Sequence, residues 1–196
     1  MLNLNSLQYK NIVDCLKLHD DRHIIFYGKK TNQKISFGQL HDAVTQSMAV
    51  ARDAGIFEGA RVGLIVENGY AALLVDLVLL GIGCTVIQMP EGTANETLSL
   101  VGENRLDFLI IDPAFSSGLC LDQFTELNLL ALSNLLIYSK KTSREQQESK
   151  LHDVPSVIFS SGTSGKIKKI LVSGDGVVYN AKVFLLLSRR DKTICF

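Results

Sequence analysis

Neither sign of charge prevails in this chain: Lys and Arg number 20, and Asp and Glu also number 20. Such a balance leaves no field to draw in nucleic acid or an anionic membrane, so neither is expected as a partner. Cysteine is sparse. Cys15, Cys84, Cys120 and Cys195 lie far apart and form no C-x-x-C pair. They read as reduced, mostly buried thiols of a cytoplasmic protein, which argues against disulfides, a zinc site or a cysteine nucleophile. The histidines, His19, His23, His41 and His152, show no metal-ligand spacing. The first six residues have neither the basic start nor the apolar core of a leader peptide. The uncharged run at 77–90 is too short to span a bilayer, and Gly81 and Gly83 interrupt it. No internal repeat or low-complexity tract is present. What remains is a chain of 196 residues, 46% hydrophobic, able to bury a sizeable core.

Helical and strand patterns alternate along that chain. Leu7, Ile12, Val13 and Leu16 mark a first amphipathic helix. Strands follow at 23–27 and 34–36 across a polar turn. Ser36 and Gln39 have the spacing of a capping box for a helix that buries Leu40, Ala43, Val44, Ser47 and Ala51 and closes at Gly55. A strand at 61–66 leads to Asn68 as the cap of a helix over 70–80. This helix is apolar nearly all round, so it is expected between layers. A strand at 84–89, a helix over 95–104, a strand at 108–111, a short helix around 121–127 and a strand at 135–138 continue the alternation. Residues 140–150 carry no apolar side chain and read as an exposed connection. The fold class expected is α/β, a mainly parallel sheet with helices on both faces and with ligands beyond the strand ends.

One segment asks for chemistry. Ser160, Ser161, Gly162, Thr163, Ser164, Gly165, Lys166, Ile167, Lys168 and Lys169 combine four hydroxyls, two glycines and three lysines. Glycines let the backbone approach a ligand, and successive N–H groups in such turns form a nest for an anion. Hydroxyls add donors that rotate, and lysines add point charges suited to phosphate. The alternative is a flexible polar loop with solvated lysines. The apolar flanks Val157-Ile158-Phe159 and Ile170-Leu171-Val172 favour the phosphate reading, since a linker seldom joins two buried strands. The Walker A pattern fails, because Ser160 stands in place of its first glycine and Ile167 in place of its magnesium-binding hydroxyl. Residues 167–172 also read as a strand, which removes the helix N-terminus on which that class relies. Gly81-Ile82-Gly83 is a weak dinucleotide signal, with Val86 at the third glycine position. It reads as a helix end at Gly81 followed by a turn.

The stretch from Val157 to Lys168 resembles the phosphate-binding loop of the adenylate-forming superfamily, which includes acyl-CoA synthetases, adenylation domains of peptide synthetases, fatty acyl-AMP ligases and luciferases. Ile167 replaces the usual proline, Lys169 the usual glycine, and Gly174 a frequent histidine. Ile35-Ser36-Phe37-Gly38-Gln39-Leu40 is similar to an early segment of that family. Residues 59–68 resemble its strand ending in Asn, and residues 80–86 its helix-to-strand turn.

The resemblance implies the N-terminal subdomain of the acyl-CoA synthetase-like fold. Residues 1–196 would be the N-terminal part of an AMP-binding domain, ending before the later active-site motifs and the C-terminal domain. It also implies an ATP-dependent acid ligase. A carboxylic acid forms an acyl adenylate, and the acyl group passes to the thiol of CoA or of a carrier protein. Ser160, Ser161, Thr163 and Ser164 would donate hydroxyls to the β- and γ-phosphates, Gly162 and Gly165 would allow close backbone approach, and Lys166 and Lys168 would supply charge. Ligands for Mg2+ and the catalytic residues are expected beyond this chain, which is therefore expected to be a fragment inactive alone. A stand-alone nucleotide or pyrophosphate binder, or a purely structural α/β module, is the alternative.

Overall fold

In the computed structural model, the structure describes residues 11–17, 20–27, 32–90, 96, 99, 102, 105–127, 134–141, 154–161, 167–179 and 193–195. Two sheets organise them. The larger has seven strands in the order β6-β7-β5-β3-β4-β8-β9. These are β3 (Arg61–Ile65), β4 (Thr85–Gln88), β5 (Phe108–Ile111), β6 (Phe124–Leu127), β7 (Leu136–Lys140), β8 (Ser156–Ser161) and β9 (Ile167–Val172). The β5-β3, β3-β4 and β4-β8 pairs are parallel, and β7 and β9 run against their neighbours. Five of the seven strands therefore share one direction, as a mainly parallel sheet requires. The smaller sheet sets β1 (His23–Tyr27) between β2 (Asn32–Ser36), antiparallel, and β10 (Thr193–Cys195), parallel.

Both faces of the large sheet are apolar because its strands alternate between two cores. Val62, Leu64, Val86, Phe108, Ile110 and Ile137 pack with the helices α1 (Ile12–Lys17), α2 (Phe37–Asp53) and α3 (Tyr70–Ile82). On the opposite face, Ile65, Ile87, Leu109, Ile111, Tyr138 and Val157 pack with Leu106 and Phe124. Strands buried on both sides are the signature of a sheet covered twice. The chain steps from β3 outward to β4 and then back past β3 to β5. Right-handed crossovers put those two connections on opposite faces. In the second of them, Glu96, Ser99 and Gly102 are helical, and the rest of the helix expected over 95–104 lies outside the described residues.

The local signals explain most boundaries. At the start of α2 the capping box is complete: Gln39 N–H donates to Ser36 Oγ at 3.0 Å, and Ser36 N–H donates to Gln39 Oε1 at 2.9 Å. Leu40, Val44, Ser47 and Ala51 are buried as expected, and Gly55 takes φ +89° just past the helix.

Three expectations fail. Asn68 does not cap α3; Gly69 is the N-cap, with no side-chain bond, and Asn68 stands one residue too early. The same helix continues through Gly81 to Ile82 and turns at Gly83 in the left-handed region (φ +89°). Gly81 serves packing instead, since a Cβ there would lie 2.8 Å from Met48 Sδ of α2. Residues 124–127 form strand β6, not a helix. Phe124 is buried while Thr125 and Glu126 are exposed, and pairing with β7 outweighs the weak local helical pattern. Among the described residues no helix is long and apolar enough to cross a membrane. Leu7, His19, His152 and residues 142–150 lie outside the described residues.

Candidate functional site

The hydroxyl- and lysine-rich segment sits on a β-hairpin. Strands β8 and β9 pair antiparallel from Ser156↔Val172 to Ser161↔Ile167, with Phe159↔Lys169 and Ser160↔Lys168 between. The connection is residues 162–166, so Gly162, Thr163, Ser164, Gly165 and Lys166 lie outside the described residues, as do the side chains of Ser160 and Ser161. What the structure does give is the root of the loop. Gln88, the last residue of β4, pairs with Ile158, so Phe159, Ser160 and Ser161 carry the loop beyond the C-terminal edge of the parallel strands. Ligands of open α/β sheets bind at that edge, where connections from neighbouring strands leave on opposite faces.

Alternation along the hairpin sorts its side chains. Val157 is fully buried in the core on the face away from α1–α3, and Phe159 packs against the same core. Ile158 and Ile170 therefore project toward the α3 side, where they stay exposed. Lys168 shares their face and Lys169 takes the other, both exposed. Two ammonium groups thus flank the root of the loop, one on each side of the sheet. Because β9 is a strand, no helix begins at the loop, which excludes the Walker geometry as the sequence implied. Residues 174–179 are helical. Ser173 Oγ accepts from Gly176 N–H at 3.1 Å, and Ser173 O accepts from Val177 N–H at 3.1 Å.

On the α3 side of the same edge lies an open cleft of about 580 Å³ lined by Phe26, Tyr27, Asn68, Gly69, Ala72, Leu73, Asp76 and Gln88. Asp76 Oδ1 accepts from Gln88 Nε2 at 3.3 Å. Burial pushes the Asp76 carboxyl up to about 6, against a smaller downward pull from that bond. Sequence reasoning passed over this residue. The signal was available: Asp76 is the only charged residue in the thirteen of α3.

The thiols are free where described. Cys84 is buried, as expected, and Cys15 is half-buried, but Cys120 is exposed, because it sits in the surface turn before β6. Burial, with nearby Asp107 adding to it, pushes the Cys84 thiol up to about 12. Among the described residues no group of His, Cys, Asp and Glu could hold a metal ion.

Comparison with known proteins places this architecture. A family described as AMP-binding enzyme matches residues 14–196. Among curated proteins, the 2-succinylbenzoate–CoA ligase of Bacillus anthracis is 21% identical over 142 residues, which is 72% of this chain and 28% of that enzyme. The N-terminal subdomain of NpsA from Klebsiella oxytoca, solved with 3-hydroxyanthranilyl-AMSN, superposes with a TM-score of 0.64 at 18% identity, over 91% of this chain and 44% of that one. A fatty acyl-adenylate ligase from L. pneumophila, solved with acyl adenylate and pyrophosphate, also gives 0.64, at 16% identity, over 94% and 34%. At such identities the solved structures establish a shared fold. The chain spans little more than a quarter of the length of the 2-succinylbenzoate–CoA ligases it matches. The chain belongs to the AMP-binding enzyme family.

Proposed function

With membership of the AMP-binding enzymes as the premise, we propose that this chain is the N-terminal part of a cytoplasmic ATP-dependent ligase that activates a carboxylic acid. In this reading a carboxylate oxygen attacks the α-phosphorus of ATP and the bond to the β-phosphate bridging oxygen breaks. Acyl adenylate forms and pyrophosphate leaves. A thiol of CoA or of a carrier protein then takes the acyl group and releases AMP. The hairpin loop contributes the hold on the β- and γ-phosphates. Ser160, Ser161, Thr163 and Ser164 donate hydroxyls, Gly162 and Gly165 admit close backbone approach, and Lys166 and Lys168 offset charge that builds on the leaving pyrophosphate. One well-aimed donor of this kind can stabilise a transition state by about 3 kcal/mol.

The observation that carries the reading is the hairpin itself, a glycine- and lysine-bearing connection carried past the C-terminal sheet edge, in a chain whose family match runs over 14–196. Mg2+ would neutralise phosphate charge. The resemblance puts its ligands beyond this chain, and no step here depends on it.

Calorimetry on the 196-residue chain tests the reading. ATP and pyrophosphate are expected to bind and adenosine not to, with at least a tenfold loss in Lys166→Ala and in Lys168→Ala. Equal binding by the lysine variants and the parent would overturn it. The chain alone is expected to catalyse no carboxylate-dependent ATP–pyrophosphate exchange.

A further inference from the structure

The cleft between β1 and α3 has features that the phosphate loop does not use. Among the described residues lining it, Asp76 is the one charged group and Tyr27 the only other titratable one. Its neighbour across the cleft is an amide: Gln88 Nε2 donates to Asp76 Oδ1, which leaves Asp76 Oδ2 and Gln88 Oε1 as acceptors without a partner among the described residues. The residues of α1 and α2 packed in the core with α3, including Val13, Leu40, Val44 and Met48, are apolar. Ala72 and Leu73 give the cleft an apolar wall, and Phe26 and Tyr27 give it aromatic surface. The Phe26 ring is held edge-on against Tyr70, with centroids 6.0 Å apart at 75°.

We propose that this cleft binds a small organic ammonium with an apolar or aromatic body, Asp76 serving as its counter-ion. The ammonium has three donors and no acceptor, which matches two acceptor oxygens that have no partner among the described residues. Its body would lie along Ala72 and Leu73, and aromatic faces attract a cation further. A half-buried carboxylate with no cation beside it among the described residues is the costly half of an ion pair, and the ligand supplies the other half. An anion is excluded by repulsion from Asp76. A divalent metal is disfavoured because the described residues offer the cleft one carboxylate only. At neutral pH Asp76 is mostly ionised, since its carboxyl titrates at about 6.

Titration of the intact chain with benzylamine at pH 8, followed by calorimetry and by the Gln88 side-chain amide resonance, tests the site. Benzylamine is expected to bind and to shift that resonance. Benzyl alcohol, its neutral counterpart, should bind at least tenfold more weakly. Asp76→Asn should lose at least tenfold for the amine and keep the alcohol's weak affinity, which also reports that the cleft is still folded. Between pH 8 and pH 5 the amine's affinity for the parent chain should fall severalfold as Asp76 takes up its proton. Equal affinity for amine and alcohol, an amine affinity unaffected by Asp76→Asn, or no binding at millimolar benzylamine would each overturn the proposal.

Discussion

Asp76 shows what one residue does when its surroundings change faster than its chemistry. In the unfolded chain it titrates as an ordinary carboxyl, and in the fold burial raises it to about 6. The folded state therefore holds the proton more tightly than the unfolded one. Its contribution to stability is fully present below the unfolded value and is lost as pH rises through about 6. Above that window the ionised group destabilises the fold by at most about 3 kcal/mol, and by less because the cleft admits water. Asp76→Asn should accordingly be more stable than the parent at pH 8, by about 1–2 kcal/mol, and equal to it near pH 4. Urea unfolding midpoints at the two pH values check this, and a variant less stable at pH 8 would contradict it. A lone acid in an apolar helix was legible in the sequence. That it faces Gln88 across a cleft was not, because β4 lies outside the helix's own pattern.

At the scale of elements, α2 is the clearest case of local sequence specifying local structure. Ser36 and Gln39 each satisfy a backbone N–H of the other, so the start of the helix is written in two residues. Ser36→Ala leaves the Gln39 N–H without its partner and should lower stability by about 1 kcal/mol, read as a shifted denaturation midpoint with an unchanged slope. The failures at this scale share one cause. Around 121–127 the sequence has neither a cap nor a sustained period, so an available strand edge on β7 decides the outcome. At α3 the apolar residues run on without a polar punctuator. The end of the helix is then set by Gly83, which alone there takes a left-handed φ, while Gly81 serves close contact with Met48. Two glycines two residues apart look alike in sequence and differ only once α2 is packed on α3.

Over the whole molecule, the sheet works because both its faces are filled. Gly63 lies near its centre on β3. A Cβ there would meet Leu106 Cδ1 at 2.6 Å, Leu109 Cδ1 at 2.9 Å and Met89 Sδ at 3.0 Å. Gly63→Ala should therefore overpack the core on the face away from α1–α3 and destabilise by about 1–3 kcal/mol, measurable by thermal unfolding. A neutral result would mean that Leu106 and Met89 can move aside. The loss also bears on the candidate site, since the same core anchors Val157 at the start of the β8–β9 hairpin.

The sequence by itself determined the alternation of elements, the capped start of α2, the strand–loop–strand character of residues 156–172 and the glycine, hydroxyl and lysine content of the connection. Each of these is a matter of neighbours along the chain: period, cap spacing, and glycine and hydroxyl content. Tertiary structure alone decided the order of the strands, the pairing of β1 with β10, the strand at β6 and the meeting of Asp76 with Gln88. Those depend on contacts between distant segments, and the free energy that selects them comes from burying both faces of one sheet at once, a quantity no local window contains.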